Sequence, residues 1–447
     1  MQDATNRTHR WLLMGVAVIL VVTVVGMVLL WPDTQQLPPT DEEPLDDLVD
    51  GEIVSVVVEQ GEADEILGIS GEFAVLEVLA LDGPDEGQII ELEVNTDGFP
   101  PIEVGDRVAM DRTTGPEGEV TYFITDFQRL PTLLVLVGLF VLAVLAISRW
   151  HGLRSLIGLG LSLLIIVRFI VPAIVAGSSP PLVALVGAVA VMIVTLYLTH
   201  GVNEMTTAAV VGTSASLGLT VLLGMLFVDR GRITGFASDD AVFARFQIDG
   251  LDLQGLVLAG LIIAALGVLD DVTISQSSTV FAIHDTDRTL SWATLFARAM
   301  RVGRDHIASV VNTLFLAYAG ASIALLLLFS TAGLGAAEIL NSEVLAEEII
   351  KTVVGSLGLI AAVPLTTALA ATVAVGRDPG AVTGGRGHSH GPTPSAAGTS
   401  DPEELDDEER ARRSWAAYLE RTARERDATA PGSEQPDDGP DPEPTHR

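Results

Sequence analysis

Long apolar runs separated by short polar turns dominate the chain from Pro131 to Gly376. Runs near 131–148, 155–175, 181–200, 205–228, 251–271, 308–330 and 348–375 approach or exceed the roughly 20 residues that cross a bilayer core. An earlier run, residues 11–30 (WLLMGVAVILVVTVVGMVLL), follows Arg7, His9 and Arg10 and ends in Trp31-Pro32. A cleaved signal would have a shorter apolar stretch and a small-residue cleavage site. Residues 1–32 therefore read as a retained anchor helix, and the pattern predicts an all-α polytopic membrane bundle of about eight spans.

The pattern changes between the anchor and the second run. Residues 33–50 are rich in Pro and Asp and read as a linker. Residues 51–130 carry short β-rich runs: GEIVSVVVEQ, EFAVLEVLAL, GQIIELEVN, GDRVAMDR and EVTYFITDF. Clusters such as Asp82-Gly83-Pro84 and Thr114-Gly115-Pro116 separate them. About five strands in so short a stretch predict a small β-barrel-like domain of the OB or SH3 kind. Gly105-Asp106 is placed as a turn before one of the strands.

Charge orients these elements. The net charge is −33, and 26 acidic against 3 basic residues fall between Asp33 and Arg129. The positive-inside rule places the amino terminus in the cytoplasm and the acidic domain outside. Arg149, His151 and Arg154 then form a cytoplasmic turn, and Arg288, Arg298, Arg301 and Arg304 a second one. The outer loop 229–250 mixes Arg230, Arg232 and Arg245 with Asp229, Asp239, Asp240 and Asp249, so its asymmetry is weak. Segment 287–304 has Leu290, Leu295, Phe296 and Met300 on one helical face and arginines on another, the pattern of an interfacial amphipathic helix or of a loop helix packed on the bundle. Residues 377–447 form an acidic, mostly disordered cytoplasmic tail. Within it, 402–426 can form one charged helix, and His388 and His390 read as a solvated pair in a linker. Arginine supplies nearly all the positive charge, a bias of GC-rich bacterial genomes, which points to a bacterial cytoplasmic membrane.

Composition also excludes chemistries. An acidic chain does not track a phosphate backbone, so nucleic acid is not expected as a partner. The absence of cysteine excludes disulfides, thiolate metal sites and thiol catalysis. No Walker A loop, HExxH or dinucleotide fingerprint occurs, so no enzyme and no cofactor is expected.

Polar groups within spans are costly and mark function by default. His200-Gly201-Val202-Asn203-Glu204-Met205-Thr206-Thr207 lies at a cytoplasmic junction, with Asn203 either lining a site or capping a helix. In Leu269-Asp270-Asp271-Val272-Thr273-Ile274-Ser275-Gln276-Ser277-Ser278, the residues Asp271, Ser275 and Ser278 share a face by i, i+4, i+7 spacing, while Asp270 points elsewhere. A carboxylate among hydroxyls can bind a cation or exchange a proton. Arg304 and Asp305 precede Asn312, two turns on; Arg304 is placed as a charge partner for Asp271 or Glu204. Arg168 stands alone in an apolar run. The first three groups share the cytoplasmic side, and Gly212, Ser216, Gly255, Gly260 and Gly267 allow close packing around them.

Three segments carry a family resemblance: GVNEMTTAAVVGT from Gly201, LDLQGLVLAGLIIAALGVLDDVTISQSS from Leu251, and RAMRVGRDHIASVVNTLFLAYAGASIALLLL from Arg298. In their order and spacing they resemble the YibE/F-like bacterial membrane proteins, over roughly residues 50–375. An Asp-Val-x-Ile-Ser core is matched by Asp271, Val272, Ile274 and Ser275; a Gly-Arg-Asp with a later Asn-Thr is matched by Gly303, Arg304, Asp305, Asn312 and Thr313. Asp270 and Gln276 depart from it. The resemblance implies a permease-like protein. The expectation is a secondary transporter of a small molecule or ion, with Asp271 as cation or proton site, Ser275, Asn312 and Asn203 as lining, and Arg304 as charge partner. A membrane scaffold or sensor, whose exported domain binds an envelope partner, is the alternative; an intramembrane enzyme ranks third. Homo-oligomerisation is compatible with all three.

Overall fold

The computed structural model describes residues 2–32, 48–60, 72–95, 100–115 and 118–376. The acidic tail from residue 377, with the helix expected at 402–426 and the His388/His390 pair, lies outside the described residues.

Helix α1 (Gln2–Leu29) leads to five strands: β1 (Leu48–Gln60), β2 (Glu72–Ala80), β3 (Ile89–Asn95), β4 (Arg107–Thr114) and β5 (Val120–Phe127). All five predicted strands form, and β1 begins three residues inside the expected linker, at Leu48. They make one antiparallel sheet in the order β3-β2-β1-β4-β5. A bulge between Ile53 and Ser55 bends β1, and the sheet curls until the edge strands β3 and β5 approach each other. The alternating positions Val49, Ile53, Leu76, Val78, Val108 and Met110 fill its inner face. Gly51 lies among Val78 and Met110, where a Cβ would collide. Gly105 has φ +98°, and the turn is fixed by its N–H on the Ile53 carbonyl at 2.8 Å and by Glu103 N–H on Asp106 Oδ2 at 2.9 Å.

On this sheet Tyr122 donates to Asp85, and Arg112 Nε donates to the same carboxylate at 3.4 Å. These contacts, Tyr122 first, hold Asp85 below its ordinary value. A depressed folded value adds stability above the unfolded pKa of about 3.9 that is lost as pH falls through the folded value. We expect Asp85→Asn to make strands β4 and β5 of the full chain protease-sensitive at pH 5, where the parent resists. Equal digestion of the two at pH 5 contradicts the expectation.

The remaining elements are helical: α2 (Leu130–Ile165), a π-helical turn (Ile166–Ile170), α3 (Val171–Val175), α4 (Pro180–His200), α5 (Glu204–Arg230), α6 (Asp239–Gln247), α7 (Leu253–Thr286), α8 (Trp292–Ala321), α9 (Ile323–Thr331), α10 (Ala336–Asn341) and α11 (Glu343–Val375). Six helices among the described residues are long and apolar enough to cross a membrane, seven if the bent pair α8–α9 counts as one. Leu130–Val175 is continuous over 46 residues but breaks at Arg149, which has non-helical φ 49° and ψ −123°. Three boundaries differ from expectation. Helix α7 runs 15 residues past 271, because Val272, Thr273, Gln276, Ser277 and Val280 bury against neighbouring helices. The amphipathic segment continues into the following run as α8, and the rest of that run forms α9, at 61° to α8 across Ser322. Loop 229–250 contains α6, capped by Ser238.

Helices α5, α7 and α11 form the centre, with α4, α8 and α1 around them. Lipid tails are as apolar as leucine, so such helices associate through close packing and hydrogen bonds. Both are present. Gly212 on α5 faces Thr366 on α11, and Gly358 on α11 faces Thr220 on α5. Thr213 and Thr273 share a 2.5 Å hydroxyl contact, and Ser277 donates to the Met205 carbonyl at 2.8 Å. Gln276 Nε2 donates to the Ala299 carbonyl at 3.1 Å and to Thr367 Oγ1 at 2.7 Å, tying α7 to α8 and α11. Replacing Gln276 with Leu removes two such bonds, each worth about 0.6 kcal/mol. We expect a lower thermal midpoint for the purified protein; an unchanged midpoint contradicts the assignment.

Candidate functional site

A cavity of about 390 Å³ opens between the second arm of α2, α4 and α7. From α7 it is lined by Ile263, Leu266, Gly267, Asp270, Asp271 and Ile274, a stripe spaced by three and four residues. From α4 come Ala188, Val191, Thr195, Leu196, Thr199 and His200; from α2, Ser155, Leu159 and Ser162. The π-helical turn supplies Ile166 and Ile170. That turn is a single-turn insertion of the kind common at functional sites. The residues just past α1 pack on it, Trp31 stacking on Phe169 at 5.9 Å.

The local sequence explains the walls. Gly158 is buried on α2, where a Cβ would touch Thr195 at 3.7 Å, so this arm lies close against α4. Ser162 and Thr195 return their hydroxyl protons to the carbonyls of Gly158 and Val191, each at 2.9 Å. Their oxygens keep lone pairs to offer to the cavity. Helix α4 ends at His200 because Gly201 takes φ 79°, a left-handed stop. Helix α5 starts at once, and Asn203 caps it: Oδ1 accepts from Thr206 N at 2.9 Å while Nδ2 donates to the His200 carbonyl at 2.9 Å.

The arrangement therefore sets two adjacent carboxylates, four hydroxyls and one imidazole around a space within the spanning helices. His200 is the one basic side chain among the lining residues. Helix α7 presents both aspartates: the expectation that Asp270 points elsewhere is corrected, because neighbours about 100° apart both border a cavity this wide.

The sequence candidates distribute unevenly. Asp271 lines the cavity. Ser275 and Ser278 share its side of α7 but are not among the lining residues, and Ser275 Oγ donates to the Val272 carbonyl at 3.1 Å. Asn203 is a cap and a clamp on His200 rather than lining. Glu204 is the first residue of α5, half-buried. Arg304, Asp305 and Asn312 are exposed on α8 and do not line the cavity. Among the described residues Arg304 forms no ion pair with Asp271. The convergence expected of three polar groups reduces to α7 and the end of α4. Arg168 is exposed in the π-helical turn. The sequence reading missed Ser155, Ser162, Thr195 and Thr199; their signal was repeated hydroxyls at seven- and four-residue spacing inside apolar runs. Among the described residues no three His, Asp or Glu converge to hold a metal ion.

The family model described as YibE/F-like protein matches residues 136–376. The match begins in α2 and ends just past α11, so it contains the whole cavity; the five-stranded sheet lies outside it, short of the span from about residue 50 that the resemblance suggested. No curated protein and no solved structure matches the chain.

Proposed function

We propose that this chain, which belongs to the YibE/F-like family, is a polytopic secondary transporter whose ion-handling groups are Asp270 and Asp271. One observation carries the reading: two adjacent carboxylates border a roughly 390 Å³ cavity in the spanning region whose only basic lining group is His200. Carboxylates so placed are costly unless they take up a proton or a cation, and that uptake can be coupled to movement of a solute.

The topology that fits has eight spans, with the 46-residue segment Leu130–Val175 crossing twice around Arg149. At 1.5 Å per residue a helix of that length is about 69 Å long, twice the hydrocarbon core. Both termini are then cytoplasmic, the bacterial plasma membrane is the location, and the sheet lies outside. The strand order β3-β2-β1-β4-β5 with approaching edges supports an OB-type barrel for that domain.

The test is potential-driven proton uptake by proteoliposomes, read with a trapped pH dye. Uptake above protein-free vesicles supports transport; none, at any pH or alkali-cation composition, overturns it in favour of a scaffold whose outer domain binds an envelope partner.

A further inference from the structure

We infer that His200 is the cytoplasmic proton-exchange group of this cavity, carrying protons between the inner aqueous phase and the Asp270/Asp271 pair, so that the coupling ion is the proton. The inference rests on the transport reading and adds to it a residue, a direction of access and an ion.

His200 occupies a singular place. It is the last residue of α4, where Gly201 ends the helix, and its side chain lines the same cavity as both aspartates. It is exposed at the helix end, so it is open to the surroundings as well as to the cavity. The titratable groups within electrostatic reach of it are His151, from the turn after Arg149, and Asp271, from α7; Asp270 borders the same cavity. His151 is itself exposed. The groups to connect are thus an exposed imidazole, an imidazole that lines the cavity at the end of α4, and two carboxylates on α7. Imidazole suits the middle position, because it alone among side chains exchanges protons near neutral pH without a special environment. The cavity has room for several water molecules at about 30 Å³ each, so transfer does not require direct contact.

The step balances simply. The His200 imidazolium gives one proton, directly or through water, to an aspartate carboxylate, leaving neutral imidazole and a carboxylic acid. Neutral His200 then takes a proton from cytoplasmic water or from His151. Reversal empties the site inward. Asn203 is a positioning residue, because its Nδ2 holds the His200 carbonyl at 2.9 Å and fixes where the imidazole starts.

Proton uptake by proteoliposomes tests this with the parent, His200→Ala, His200→Gln and Asp271→Asn, each first shown to elute as the parent does. His200→Ala and His200→Gln are expected to lower uptake by about tenfold or more, below the roughly 100-fold of an essential positioned acid or base because water can partly replace the relay. Adding free imidazole is expected to restore His200→Ala but not Asp271→Asn, which a merely structural role for His200 would not produce. Loss of uptake in His200→Ala without imidazole rescue, or parental uptake in both His200 variants, overturns the relay. Parental uptake in Asp271→Asn overturns the site reading beneath it, so the two failures are separable.

Discussion

Replacing Asp271 with Asn is expected to cut proton uptake by proteoliposomes about 100-fold, to the rate of protein-free vesicles, while the protein still folds. The change removes one titrating oxygen and little volume. Asp271 is exposed to the cavity rather than packed in the helix core, so no buried contact depends on its charge. Asp270→Asn is expected to lower uptake less, because the Asp270 carboxylate is half-buried whereas that of Asp271 is exposed. Uptake by Asp271→Asn at half the parental rate or more would remove it as the ion site.

The largest effect on stability is expected at the contact of α5 and α11. A Cβ added at Gly358 would overlap the Thr220 hydroxyl, and one added at Gly212 would overlap the Thr366 hydroxyl. Overpacking of this kind costs about 1–3 kcal/mol. The two sites differ in what relieves them. At Gly358 the next neighbour is Thr220 Cβ at 3.3 Å, so Thr220→Ala clears the hydroxyl and lets Gly358→Ala fit with a small shift. At Gly212 the added carbon also meets Thr366 Cβ at 3.1 Å and backbone Cα at 3.3 Å, which no side-chain truncation removes. Thermal midpoints in detergent should therefore fall for both single variants. They should recover in Gly358→Ala/Thr220→Ala far more than in Gly212→Ala/Thr366→Ala. Equal recovery would mean that the helices slide freely at Gly212.

The coarse architecture was legible because its signals are strong and local. Every strand core appears as a β-rich run between Gly, Pro or Asp clusters, and six helices carry apolar windows that little else explains. Where prediction fell short, tertiary packing decided. Nothing local says that the polar run Thr273-Ile274-Ser275-Gln276-Ser277 stays helical; it does so because Thr213, Thr367 and the carbonyls of Met205 and Ala299 receive its polar groups. Gln276 is a cross-helix tie.

The site was legible in part for the same reason. Asp271 stood out as a carboxylate in a span, and the structure sets it on the cavity wall. The stripe to follow from it runs back through Gly267, Leu266 and Ile263, not forward to Ser275 and Ser278. Helical spacing alone gives both directions equal weight; only the placement of α2 and α4 decides between them. Arg304 looked like a partner because sequence supplies charge but not distance, and α8 turns its arginine face outward while Leu295, Ala299 and Gly303 pack inward.

The central claim is that Asp270 and Asp271 together form the ion site, and thermal unfolding tests it most directly. The parent and the double variant Asp270→Asn/Asp271→Asn would be unfolded in detergent across a pH series and a panel of alkali cations. An ion bound only by the folded state at 100 times its Kd stabilises it by about 2.7 kcal/mol, a shift that is easily read. The account predicts a pH- or cation-dependent midpoint in the parent that is flattened in the double variant. The same dependence in both proteins would contradict it.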